Sequence, residues 1–98
     1  MQDILAMREN AQLVSDLLKT IAHPDRLVVL CLLSDGEMGV TELRHHSQNS
    51  QSAFSQHLKV LRESHLVKVR KEAQNVYYSL AEPRIKRLLD SLQQQFCS

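Results

Sequence analysis

The sequence predicts a mainly α domain that carries one two-stranded β-hairpin. Apolar residues recur at helical spacing over most of the chain. Two short helical patterns meet across a tight polar turn, and one stretch then switches to period two before the helical period returns. In that order the elements read as a helix-turn-helix followed by a wing, a single winged helix-turn-helix domain spanning 1–98.

The first helix is expected over Met1–Thr20, where Ile4, Leu5, Leu13, Val14, Leu17, Leu18 and Ile21 keep the helical period. His23 ends it, because the residue before a proline is pushed out of the helical region. Pro24 suits the first turn of the next helix. That helix runs to about Ser34 and is apolar nearly all round, through Leu27, Val28, Leu30, Cys31 and Leu32, so it is expected at the centre. Asp35–Gly39 holds both glycines and reads as a turn. A short helix from Val40 to about Ser47 turns Val40 and Leu43 inward. Gln48-Asn49-Ser50 is the tight connection, with Ser50 as the N-cap of the next helix. That helix sets Phe54, Leu58 and Leu61 on one face and Gln51, Ser52, Ser55, Gln56, Lys59 and Arg62 on the other. The helix-turn-helix thus occupies 40–64. Val67 and Val69 alternate with Lys68 and Arg70, and Val76, Tyr78 and Leu80 with Tyr77 and Ser79, which makes 66–80 a hairpin joined by Lys71–Asn75. Pro83 opens a last helix with a stripe of Ile85, Leu88, Leu89, Leu92 and Phe96. This stripe is too apolar for a solvated face, so with the first helix it forms a candidate dimer surface.

Net charge is only +1, but its distribution is uneven. Met1–Glu42 holds three basic and seven acidic residues, whereas Leu43–Lys71 holds six basic residues against Glu63 alone. A localised positive stripe is what a phosphate backbone selects. No apolar run approaches the roughly 18–20 residues of a membrane span, and no basic leader precedes an apolar core, so a cytoplasmic, nucleoid-associated protein is expected. Two cysteines 66 positions apart fit neither a disulfide framework nor a zinc pattern. Without a Cys-x-x-Cys, a nearby general base or a glycine loop to cradle a substrate, a thiol enzyme has no support, and no catalytic residue or cofactor is assigned.

A recognition helix offers short polar side chains to base edges and flanking cations to phosphates. Gln51, Ser52, Ser55 and Gln56 meet the first need, since glutamine can pair with adenine through two hydrogen bonds and serine with several edges. Lys59 and Arg62 suit phosphates, and Arg70 and Lys71, at the wing's turn, could follow the backbone or enter a minor groove. Each residue taken singly reads more readily as part of a solvated face; charge asymmetry and element order together favour double-stranded DNA. The five histidines read as structural or solvated: His45 and His46 project about 100° apart on a helix and chelate poorly, and His57 is expected beside the recognition helix.

The stretches SQSAFSQHLKVLR (50–62), LV (66–67) and RKEAQNVYYSL (70–80), with LLKTIAHPDRL (17–27) upstream, resemble the ArsR/SmtB family of bacterial repressors. The resemblance covers nearly the whole chain. It implies a homodimer paired through helices 1–21 and 83–97, each protomer placing a recognition helix in a major groove of an inverted-repeat operator. Two positions depart from the family's pattern. Asn49 replaces an apolar residue before the capping serine, and His65 stands where glycine is common, in a left-handed conformation that histidine tolerates.

The resemblance also separates possible signals. GVTELR (39–44) lacks the cysteines of the family's arsenic and cadmium sensors, and the last helix, with no histidine and one aspartate, lacks the ligands of its zinc sensors. No metal is therefore expected at either place. Cys31 and Cys97 are similar to the dithiol of the persulfide-sensing subgroup, the BigR, SqrR and HlyU type. That likeness implies a thiolate attacking a sulfane-sulfur donor, the second cysteine resolving the adduct into a disulfide or polysulfide, and weaker operator binding afterwards. The residues alone leave other readings open. Cys31 could be a small core residue and Cys97 an incidental thiol, a metal could bind through Cys97 and a histidine, and the fold could dock a protein instead of DNA.

Overall fold

The computed structural model describes residues 3–96. Five helices and three strands follow in the order α1 (Ile4–Ile21), α2 (Pro24–Leu33), β1 (Met38–Gly39), α3 (Val40–His45), α4 (Gln51–Glu63), β2 (Val67–Glu72), β3 (Asn75–Leu80) and α5 (Pro83–Phe96). The sheet is antiparallel in the order β1-β3-β2. The helix-turn-helix and hairpin wing therefore stand as expected, with one strand added. No described helix is long and apolar enough to cross a membrane.

Local chemistry explains most boundaries. Asp3 caps α1 by accepting from the Ala6 amide at 3.0 Å. Pro24 occupies the first turn of α2, whose N-cap is unusual: the His23 ring nitrogen Nδ1 accepts from the Asp25 amide at 3.2 Å. Ser50 caps α4 through the Ala53 amide at 3.2 Å. The end of α4 is a Schellman motif, in which the Leu66 amide bonds to Leu61 O and the His65 amide to Arg62 O, each at 3.0 Å. His65 takes the left-handed conformation there, with φ 61°. Leu61 and Leu66, both buried, meet beneath this turn and aim the chain into the wing.

Leu30 of α2, Leu43 of α3, Leu61 of α4 and Ile85 and Leu89 of α5 are the deepest side chains. α2 packs against α1, α4, α5 and β3, the central place its composition called for. One edge stays open, however, because Val28 is 49% exposed. α1 is the least integrated element. Only Leu17 and Ile21 of its apolar residues join the core, while Ile4, Leu5, Met7, Leu13, Val14 and Leu18 are exposed.

Three local expectations are corrected. The link between α3 and α4 is His46–Ser50, not Gln48–Ser50, because α3 stops at His45. There the amides of His46 and Ser47 turn to carbonyls three residues back, and the Ser47 hydroxyl accepts from the Asn49 amide at 3.1 Å, which competes with another helical turn. The 35–39 segment does not stay a turn: Met38 and Gly39 pair with Tyr78 and Tyr77 of β3. The hairpin is also tighter than its side-chain alternation suggested, since Lys71 pairs with Val76 and Glu72 with Asn75. The turn is then only Ala73-Gln74, with Ala73 at φ 55°.

Alanine gains nothing in that conformation, whereas glycine avoids a Cβ clash worth roughly 1–2 kcal/mol and returns part of it as unfolded-chain entropy. Ala73→Gly should therefore raise the thermal midpoint by about 2–5 °C. His65→Gly should gain less, because histidine is among the side chains that tolerate the left-handed region. Calorimetry at fixed protein concentration checks both; a lower midpoint for Ala73→Gly would contradict a strained turn.

Candidate nucleic-acid interface

α4 is amphipathic by construction. Phe54, Leu58 and Leu61 are buried, and Gln51, Ser52, Ser55, Gln56, Lys59 and Arg62 are all exposed on the opposite side. Thirteen residues make a helix about 20 Å long, so these six side chains form one continuous outward strip. The Gln51 carbonyl accepts from Arg44 Nε at 2.9 Å, and its amide lies 3.5 Å from the Ser55 hydroxyl. This contact turns the Gln51 amide nitrogen, a donor, along the strip. Arg44 itself, on α3, rests 5.6 Å from the centroid of Phe54. Sequence reasoning counted Arg44 only as one cation of the basic middle third; its role in orienting a candidate base reader depends on the angle between α3 and α4. Lys59 stands 3.9 Å from Glu63, but both are well exposed and such a pair is worth little.

The wing residues divide. Lys71 is exposed, one residue pair below the end of the ladder. Arg70 was expected at the hairpin's turn; it lies further back, opposite Tyr77, and its guanidinium is engaged by Glu37 and Glu72. The strip on α4 and Lys71 are thus available to a polyanion, whereas Arg70 is held by two carboxylates.

Behind the recognition helix lies a joint that the sequence did not reveal. Arg26 of α2 donates from Nε to His57 Nδ1 of α4 at 3.3 Å, and from Nη1 to the Thr20 carbonyl near the end of α1 at 3.2 Å. One guanidinium therefore ties the first helix to the recognition helix. His23 stacks obliquely on His57 with centroids 4.4 Å apart, and Asp25 lies 3.7 Å from one ring and 3.9 Å from the other. His23, Asp25 and His57 could each offer a ligand atom within 4.8 Å of the others. Their hydrogen bonds speak against a metal. Each ring already spends its Nδ1 lone pair, on Asp25 N–H and on Arg26, so in each neutral ring the proton resides on Nε2. Such rings would have to give up that hydrogen bond to ligate through Nδ1, or change tautomer to ligate through Nε2, beside a guanidinium. The cluster reads as a clamp, and His57 stands on the inner side of α4.

Cys31 is half-buried on α2 and packs against the core, on the helix that also meets α5. Cys97 lies outside the described residues.

A helix-turn-helix whose second helix presents a polar and basic strip, with a hairpin beside it, defines a winged-helix DNA-binding regulator. The chain belongs to the arsR family of bacterial regulatory proteins, whose sequence profile matches residues 23–69. It is 44% identical over 93 residues to the Biofilm growth-associated repressor of Agrobacterium fabrum, which covers 95% of this chain and 80% of that protein. Reduced HlyU from Vibrio cholerae shares the fold with a TM-score of 0.91 at 41% identity, covering 97% of this chain and 100% of that one. The transcriptional repressor BigR from Xylella fastidiosa does so with a TM-score of 0.87 at 37% identity, covering 99% of each. The chain is accordingly a transcriptional regulator of this type and not an enzyme.

The His57 joint has a consequence for stability. Burial first, and then the nearby His23 and Arg26, hold the His57 imidazole below its ordinary pKa of 6.5, while Asp25 acts in the other direction. Above that value His57 is neutral whether folded or unfolded. As pH falls through it, the unfolded chain takes up the proton first and stability is lost. Urea midpoints measured between about pH 7.5 and about pH 5.5 should therefore fall, and fall less steeply in His57→Gln. Parallel pH profiles for the two proteins would show that His57 contributes none of the slope.

Proposed function

We propose that this regulator binds an inverted-repeat operator as a homodimer, reading base edges with Gln51, Ser52, Ser55 and Gln56 and holding phosphates with Lys59, Arg62 and Lys71. The observation that carries this reading is the outward strip of α4, polar near the N-terminus of the helix and cationic further along, in the arrangement a recognition helix needs. Dimerisation through α1 and α5 is supported by apolar surface that the protomer leaves uncovered. Ile4, Met7, Ala11, Val14 and Leu18 fall on one face of α1, along about 21 Å of helix, and Phe96 at the end of α5 is 79% exposed. A two-fold pairing of such faces presents two α4 helices to one duplex, which is why an inverted repeat is the expected target.

The signal we assign is a reactive sulfur species or oxidant acting on Cys31 and Cys97. Support comes from the position of Cys31 on the central helix that packs on α5, from Cys97 directly following α5 in sequence, and from the likeness to BigR and HlyU. With a persulfide, one cysteine thiolate takes the sulfane sulfur and releases the donor's thiol. The second thiolate then attacks the first cysteine's own sulfur and expels hydrosulfide, leaving a disulfide. The two thiols supply the two electrons that reduce sulfane sulfur to sulfide. A bridge between α2 and the end of α5 would alter how α5 sits on the core, and with it the spacing of the two α4 helices. A second reading keeps DNA binding but makes Cys31 an inert packing residue, as its half-burial against the core allows.

Two measurements test these assignments. On a duplex selected by the protein from a randomised pool, Lys59→Ala should weaken binding to all sequences and lower the slope of log affinity against log salt by about one. Gln56→Ala should instead cost about 1–3 kcal/mol on the selected site and relax its sequence preference. A Gln56→Ala protein with unaltered preference would remove that residue from the readers. Treatment with a persulfide donor should lower the affinity of the wild type and leave Cys31→Ser and Cys97→Ser unaffected; equal binding before and after treatment would sink the switch and favour the inert reading.

A further inference from the structure

Arg70 is surrounded by contacts. Its Nη2 and Nε donate to the two carboxylate oxygens of Glu37 at 2.7 and 3.0 Å, a parallel two-point pair. Nη1 donates to Glu72 at 2.7 Å, and the guanidinium carbon sits 4.5 Å from the centroid of Tyr77. These partners come from different parts of the fold. Arg70 and Glu72 are on β2, Tyr77 is on the middle strand β3, and Glu37 immediately precedes β1. The side chain therefore crosses the sheet from one edge strand, over the centre, to the residue that leads into the other. β1 runs directly into α3, with Gly39 as its N-cap, so whatever fixes Glu37 against the wing also fixes the wing against the helix-turn-helix.

We propose that Arg70 is a positioning residue, a strap that sets the wing's angle to the helix-turn-helix, and not a phosphate contact. Charge supports this. One guanidinium between two carboxylates leaves a group of net −1, which offers a phosphate no attraction. The wing's remaining exposed cations are Lys71, which we assign to phosphate, and Lys68, which lies on Arg70's side of the strand close enough to Glu37 to favour its ionised form. A lone exposed ion pair would be a weak basis for such a role, but here two carboxylates and an aromatic face hold one planar group. The proposal rests on the DNA-binding reading for its effect on affinity, though not for its effect on the wing itself.

Glu37→Gln separates the alternatives by sign. If Arg70 contacts phosphate, removing its carboxylate partner frees a cation and deletes an anion, so binding tightens. If Arg70 is a strap, the same change cuts it and binding weakens. We expect Glu37→Gln to weaken binding to the selected duplex roughly three- to tenfold with an unchanged salt slope. Arg70→Lys, which keeps the charge but cannot form the two-point pair, should weaken it similarly, and the double variant should be no worse than either single one. In the protein without DNA, amide exchange across residues 70–77 should quicken in Glu37→Gln. Tighter or unchanged binding by Glu37→Gln, wild-type affinity in Arg70→Lys, or unaltered exchange would overturn the proposal. A wild type with no salt-sensitive duplex binding would instead defeat the DNA-binding reading, and the exchange measurement alone would then decide on the strap.

Discussion

Everything in this fold hangs on the burial of α2. Leu30 has no exposed surface, and it shares the core with Leu43, Leu61, Ile85 and Leu89, one or two deep residues from each of α3, α4 and α5. Fully burying such a side chain contributes about 1.5–3 kcal/mol, whereas an exposed ion pair contributes about 0–1. The helices are therefore brought together by apolar contact, and polar groups refine angles that this contact has already bracketed. A domain of this size has little core to spare, and α1, which lends it only Leu17 and Ile21, leaves most of its apolar residues exposed.

The polar refinements share a design. Arg26 reaches from α2 to the end of α1 and to His57 on α4; Arg70 reaches from β2 to the residue before β1. In each case a planar guanidinium, with several donors in a fixed fork, joins elements that the apolar core only places side by side. Arg44 acts at smaller scale, orienting Gln51 across the turn of the helix-turn-helix. Arg26 and Arg44 thus reach α4 from behind and beside its outward strip, while Arg70 spans the sheet. Counting arginines as phosphate ligands because they lie in a basic segment overlooks this use.

Cys31 and Arg26 belong to the same central helix, which also packs on α5: Cys31 rests against the core and Arg26 grips α4 through His57. A change in how α5 meets α2 therefore has a short physical route to α4. The wing is joined to α3 through β1, and its strand β3 also packs against α2 and α5.

Much of the fold was legible in the sequence, because the features concerned are written in neighbouring residues. Pro24 at the start of α2, Ser50 at the cap of α4, the period-two stretch of the wing and the left-handed His65 all follow from chemistry within a few positions. The same holds for the outward strip of α4, since helical spacing alone puts Gln51, Ser52, Ser55, Gln56, Lys59 and Arg62 on one side. What local pattern could not supply is contact across the chain. Met38 and Gly39 are a strand only because β3 lies beside them, and two residues carry no period of their own. Arg26 meets His57 across 31 positions and Arg70 meets Glu37 across 33. The sequence by itself determined which faces exist; the packing of α2 decided which side chains meet between them, because a side chain's partner depends on where the backbone has been brought and not on the residues next to it.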